Sequence, residues 1–164
     1  MKTLNVLLCH SDRRVNNLIE VLVRDVCYNQ AVVNCVRSTQ VEDFIIQARE
    51  RECDLVIVAP DDLLPAGGRR VPRGSISEAI RAVREIRERR AVPIIAVGIS
   101  VEFELALLEA GVDRVLDLPF NCDKLKSEVR EVLNLAEWVE PAAAPERWPL
   151  FGALMRGVHR LTHA

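Results

Sequence analysis

Few residues in this sequence stand at spacings that chemistry uses. Cys9 lies beside His10 at the end of an apolar run, a nucleophile next to a base. Adjacent strand residues point to opposite faces, so the two do not hydrogen-bond directly, and Cys9 reads as a buried structural thiol. His159 and His163 are one helical turn apart, a spacing that suits Zn²⁺ only when further ligands join it. None follow, and the pair reads as solvated. Asp61 and Asp62 stand just past a β-branched run and read as polar loop residues, while Asp12 reads as a helix cap. Arg69, Arg70 and Arg73 flank Gly67 and Gly68 in one loop, where guanidinium groups can approach an anion. Their alternatives are a solvated loop and a site for a nucleotide or other anion. No GxGxxG, GxxxxGK[ST] or GxSxG pattern occurs, and nothing calls for a cofactor or a resident metal.

The chain that must position these residues has 164 of them, enough for one domain and a short appendage. A formal charge of −2 argues against a body built to neutralise nucleic-acid phosphates. Aromatics at 4% leave little for base-stacking platforms. No apolar run approaches the roughly 18–20 residues of a membrane span. The opening MKTLNVLLCHSDRR meets Ser-Asp-Arg-Arg where a signal peptide would show small residues, so it reads as a strand. Five cysteines without a CxxC pair suit reduced thiols in a cytoplasm.

Strand and helix patterns alternate. The expected strands are Thr3 to Cys9, Ala31 to Val36, Leu55 to Val58, Pro93 to Val97 and Val112 to Leu116. Between them, Ser11 or Asp12 caps a helix carrying Val15, Leu18, Ile19, Val21, Leu22, Val23 and Val26. Thr39 with Glu42, and Ser75 with Glu78, form capping boxes for helices to about Arg51 and Arg90. Arg81–Glu85, Arg84–Glu88 and Glu85–Arg89 sit four apart and predict a solvated face along the helix of residues 75–90. Ser100 caps a short helix ended by Gly111, and Asn121 caps a last helix with Leu125, Val129, Val132, Leu133 and Ala136 on one face. Strict alternation implies an α/β fold with a doubly wound, five-stranded parallel sheet, with function at the carboxyl ends of the strands.

The segments VLLCHSDRRVNNLI, DLVIVAP, VPIIAVG and VLDLPF, in that order and spacing, resemble the receiver domain of bacterial response regulators, the CheY-like fold. The resemblance covers residues 1 to about 138. It implies an acidic pair after the first strand that binds Mg²⁺, an Asp phosphoacceptor ending the third, a hydroxyl ending the fourth, and a Lys before Pro-Phe. These positions fall on His10 and Ser11, on Ala59, on Gly98 and on Leu118, and the switch aromatic falls on Val115. Each chemical group is replaced. Mg²⁺ needs hard oxygen ligands, and of that cluster only Asp12 remains near the first strand. A methyl at Ala59 accepts no phosphoryl group, and Leu118 offers no charge to hold one. The loop PDDLLPAGGRRVPRG also runs about half a dozen residues longer than the family's, beyond an ordinary βα connection.

Residues 139–147, within EPAAAPER, read as a Pro/Ala linker. Residues 148–164 then read as an amphipathic helix. Trp148 precedes a stripe of Leu150, Phe151, Leu154, Met155, Val158 and Leu161, while Arg156, His159, Arg160 and His163 take the other side. From Arg147 onward there are three arginines and no acidic residue. Burying the stripe is worth on the order of several kcal/mol at roughly 25 cal/mol per Å². Its cover is a groove on a partner or second copy, the chain's own domain, or an anionic membrane surface.

These readings converge on a non-enzymatic, cytoplasmic pseudo-receiver that works by protein contact without phosphorylation. The resemblance points to the surface of the fourth helix, fifth strand and fifth helix (Glu102 to Glu109, Asp117 to Asn121) as a docking face. The alternative is an anion- or nucleotide-sensing module built on Arg69, Arg70 and Arg73. No nucleic-acid partner is expected, because no recognition helix follows in a second domain.

Overall fold

The computed structural model describes residues 2–10, 12–59, 74–117 and 121–135. Five strands and five helices alternate: β1 (Lys2–Cys9), α1 (Arg13–Val26), β2 (Ala31–Ser38), α2 (Val41–Glu50), β3 (Leu55–Val58), α3 (Gly74–Arg87), β4 (Ile94–Ile99), α4 (Val101–Ala110), β5 (Arg114–Asp117) and α5 (Cys122–Val132). The strands form one parallel sheet in the order β2-β1-β3-β4-β5. Parallel neighbours need crossover connections, and the helices supply them on both faces.

Alternation along the strands divides the core in two. Leu7, Val56, Val58, Ile94 and Ala96 pack with Phe44, Ile45, Val83, Ile86 and Leu107 on the side of α2, α3 and α4. Leu4, Val6, Leu8, Ile57 and Ile95 pack with Ile19, Leu22, Val23, Leu125 and Val129 on the side of α1 and α5. The central β3 and β4 are buried along their whole length, as their continuous Ile/Val runs require of strands covered on both faces.

Local signals fix most element ends. The Asp12 side chain accepts the Arg14 N–H at 2.7 Å and starts α1. Asn121 accepts the N–H groups of Asp123 and Lys124 and starts α5. Gly111, with φ +111°, ends α4 in the left-handed conformation, and Asn134 (φ +49°) follows α5 in the same region.

Several expectations need correction. The N-cap of α2 is Gln40, not Thr39, and no side chain caps it, because β2 runs on to Ser38. On α1, Val21 faces solvent and Asn16 occupies the buried stripe. Asn16 lies three residues before Ile19, so helical periodicity places it inward whatever its polarity. The charged face of α3 and the turn after it is solvated at Arg81, Arg84, Glu88 and Arg89, and the ion pairs of Arg81 and Glu85 run to the neighbouring helix. Arg81 reaches Glu42 at 3.3 Å and Glu85 reaches Arg49 at 2.5 Å, both across to α2, because the two helices pack side by side. α3 ends at Arg87 instead of Arg90, β4 extends to Ile99, and β5 starts at Arg114 instead of Val112.

Candidate functional site

The β2-β1-β3 order places the topological switch point between β1 and β3, where the loops leaving the strands part to opposite faces. Around it stand His10 and Asp12 after β1, Ala59 after β3, Gly98 in β4 and Asp117 at the end of β5.

His10 folds back onto its own turn. Its Nδ1 accepts the Asp12 N–H at 2.8 Å, its N–H donates to the Ser38 carbonyl at 3.2 Å, and its carbonyl accepts from Asn16 Nδ2 at 2.8 Å. Nδ1 is therefore the accepting nitrogen, which assigns any ring proton to Nε2. Cys9, by contrast, is buried with Leu7, Phe44 and Val58. Asp12 is exposed and already engaged as the cap of α1.

Asn16 is the rim residue that sequence reasoning missed. It is 1% exposed, and its Nδ2 bridges the carbonyls of His10 and Ser38, at 2.8 and 3.2 Å. The ends of β1 and β2 are thereby tied together. Ser38, equally buried, donates from Oγ to Asp43 Oδ2 at 2.9 Å, which anchors the first turn of α2. A polar residue falling on an otherwise apolar stripe was the available signal for Asn16.

Ala59 is buried. Its N–H donates to the Cys9 carbonyl at 2.9 Å, and its methyl joins the core cluster on the α1/α5 side. Gly98 has φ +72° and sits where the β4–β5 register shifts between Val97 and Ile99. A left-handed backbone there favours glycine over any residue carrying a hydroxyl. Val115 packs partly buried against the α2–α4 side of the core. At the β5 end, Lys124 Nζ lies 3.1 Å from Asp117 Oδ1, and this hydrogen bond, more than any other cause, holds the Asp117 carboxyl below its ordinary range. Among the described residues no three His, Cys, Asp or Glu side chains converge as metal ligands.

The remaining predicted site residues lie outside the described residues. They are Ser11, Leu118, Asp61, Asp62, Arg69, Arg70 and Arg73, with Trp148 to Leu161 of the C-terminal stripe. A cavity of about 270 Å³, also not foreseen, opens on the α2 side of β1 and β2 between Asn5, Asn34, Gln47, Arg51, Glu52 and Cys53. Its signal was the mid-strand asparagine pair, Asn34 Nδ2 donating to Asn5 Oδ1 at 3.1 Å beside Leu7 and Val36.

Four of the five thiols share one electrostatic character. Burial pushes the Cys27, Cys53 and Cys122 thiols up, and burial together with the nearby Glu20 pushes Cys35 up to about 12. Such groups are poor nucleophiles.

No protein-family model matches the sequence, and no curated protein matches it. Solved structures do match its fold. A two-component response regulator from Clostridium difficile has a TM-score of 0.59 at 16% identity, over 80% of this chain and 96% of that one. A CheY-like response regulator receiver domain protein from Methanospirillum hungatei has a TM-score of 0.59 at 12% identity, over 81% and 95%. The receiver domain of a sensor histidine kinase from Pseudomonas aeruginosa, solved with a magnesium ion in its active-site cleft, has 0.58 at 19%, over 80% and 98%. Residues 2–135, so far as they are described, have the fold of CheY-like receiver domains.

Proposed function

We propose that this chain is a phosphorylation-independent receiver-like module that works by protein–protein contact and catalyses no reaction. The observation that carries the reading is Ala59. At the end of β3, where the receiver resemblance calls for a phosphoacceptor carboxylate, a methyl group packs into the core. Phosphoryl transfer needs an acceptor oxygen in line with the donor, and a methyl supplies none. The neighbouring groups support the same reading. Asp12 is taken up by helix capping, His10 Nδ1 by its own turn, and Gly98 carries no hydroxyl.

What remains for such a module is surface. The α4–β5–α5 face supplies one docking area, and residues 148–164 supply another for a partner protein or a second copy. Incubation with acetyl phosphate and Mg²⁺ is expected to leave the intact mass unchanged. A stable acyl phosphate on Asp61 or Asp62 overturns the reading. Deleting residues 141–164 is expected to abolish partner capture, and capture at full strength by the shortened chain removes the tail from the proposal.

A further inference from the structure

The cavity between α2 and the β1–β2 pair has a plain origin in length. α2 has ten residues and is ~15 Å long, whereas β1 and β2 have eight each and run ~26 Å. The helix therefore packs on Leu7 and Val36 but leaves Asn34 exposed and Asn5 half-buried, two positions nearer the amino ends of the strands. Residues 51–53, on the way from α2 to β3, close the cavity at that end. At about 270 Å³ it falls just under the ~300 Å³ at which ordinary ligand pockets begin, so its size suits a small molecule and not a dinucleotide.

The polar groups around it are held in place yet unspent. Asn5 is fixed twice by Asp54: its N–H donates to Asp54 Oδ2 at 2.8 Å, and its carbonyl accepts the Asp54 N–H at 2.8 Å. Asn34 stands opposite in register and spends one N–H on Asn5 Oδ1. That leaves the Asn5 Nδ2 as donor and the Asn34 Oδ1 as acceptor, neither engaged by a described residue. Gln47, in the last turn of α2, has its Oε1 shielded from solvent with no hydrogen bond to it. Arg51 and Glu52 are exposed, and neither forms an ion pair with the other or with any described residue. Leu7 and Val36 supply an apolar wall. A guanidinium and a carboxylate on consecutive residues thus set two opposite charges at one lip of the cavity. An α-amino acid carries the complementary two on either side of a single carbon.

We infer that this cavity binds a free α-amino acid with an apolar side chain. Arg51 clamps the carboxylate, Glu52 and the Asn34 Oδ1 hold the ammonium, and the side chain lies against Leu7 and Val36. A rotation of the Gln47 amide turns its orphaned oxygen toward the same ammonium, which gives a buried acceptor its donor. The site sits on the amino-terminal half of the sheet beside the edge strand β2, away from the carboxyl-end rim and from the α4–β5–α5 face at the other edge. It goes beyond the interaction reading and stands or falls apart from it.

Two-dimensional amide NMR of the full chain, titrated separately with L-leucine, L-methionine and L-phenylalanine, tests the site. At least one of the three is expected to shift the side-chain amide signals of Asn5, Asn34 and Gln47 and to saturate below about 10 mM. The same side chain without its amino group, or without its carboxylate, is expected to bind about tenfold more weakly or worse (for leucine, 4-methylpentanoate and 3-methylbutylamine). Arg51→Gln is expected to weaken the amino acid about tenfold while the signals of β3 and β4 stay in place. Glu52→Gln is expected to weaken the amino acid and leave the amine-free acid unchanged. No saturable shift from any of the three overturns the proposal, as do shifts confined to other parts of the chain. Equal binding of the amine-free acid, or binding indifferent to both substitutions, overturns it too.

Discussion

Arg87 and Gly111 form one joint. The Arg87 Nε donates to the Gly111 carbonyl at 2.6 Å, and a Cβ placed on Gly111 would lie 2.7 Å from the Arg87 Cγ. The glycine therefore answers two demands, a φ of +111° and the close approach of the guanidinium stem. Gly111→Ala is expected to cost about 1–3 kcal/mol, read as a lower urea midpoint at unchanged slope. A loss below about 0.5 kcal/mol contradicts this account.

The same guanidinium donates to the Val92 carbonyl at 2.6 Å and bonds Asp113, whose carboxylate also accepts the Ile94 N–H at 2.7 Å. One side chain at the end of α3 thus gathers the starts of β4 and β5 and the end of α4. Arg87→Met is expected to destabilise by about 2 kcal/mol, since it leaves partly buried acceptors without a charged donor. Arg87→Lys is expected to recover less than half of that, because a single ammonium lacks the planar fork that serves three acceptors. Equilibrium urea unfolding measures both.

Placing an acid at the end of β3 is expected to harm the fold without creating a phosphoacceptor. In Ala59→Asp a carboxyl replaces a buried methyl, at a cost of about 2–4 kcal/mol at neutral pH. Burial raises the carboxyl's folded pKa above its unfolded value, so the native state holds the proton more tightly. The deficit is therefore smallest below about pH 4 and grows as pH rises. Urea midpoints at acid and neutral pH test the sign, and the intact mass after treatment with phosphodonor is expected to remain unchanged.

The Asp117–Lys124 pair works in the opposite direction. Its hydrogen bond depresses the folded pKa of Asp117, so the stabilisation is complete above the unfolded carboxylate value and disappears as pH falls through the folded one. Both groups lie at the surface, and salt is expected to weaken the pair. In Lys124→Met the Asp117 carboxyl, followed by NMR, is expected to titrate at higher pH than in the unaltered chain. An identical titration removes Lys124 as the cause.

Cys35, with its thiol pushed up to about 12, is expected to resist alkylation. At pH 8 the thiolate fraction is roughly a thousandfold below that of a thiol at its ordinary value, and the greater intrinsic nucleophilicity of the thiolate recovers part of the difference. Peptide mapping after iodoacetamide treatment is expected to show Cys35 reacting roughly 30–50-fold more slowly in the native chain than in urea.

The fold was legible because its signals are local and repeated. Ile/Val runs at β3 and β4, Asp12 and Asn121 as caps and Gly111 as a terminator each state an element end in one or two residues. Two of the boundaries that shifted, at Ser38 and Ile99, did so where tertiary pairing extends a strand. In the candidate site, the places of His10, Ala59 and Gly98 at or near strand ends were legible, because strand ends can be counted. The hydrogen bonds there were not. Asn16 reaches the carbonyl of Ser38, 22 positions away, and Arg87 that of Gly111, 24 away, so no short window of sequence contains both partners. The partners of Arg81 and Glu85 were hidden for the same reason: they sit on α2.

The Asn16 bridge has a consequence for connectivity. Because one amide grips the tips of both β1 and β2, and Ser38 in turn holds Asp43, an unbroken series of hydrogen bonds runs from His10 to the first turn of α2. Asn16→Ala would remove one link of that series and leave the His10 and Ser38 carbonyls without their shared donor.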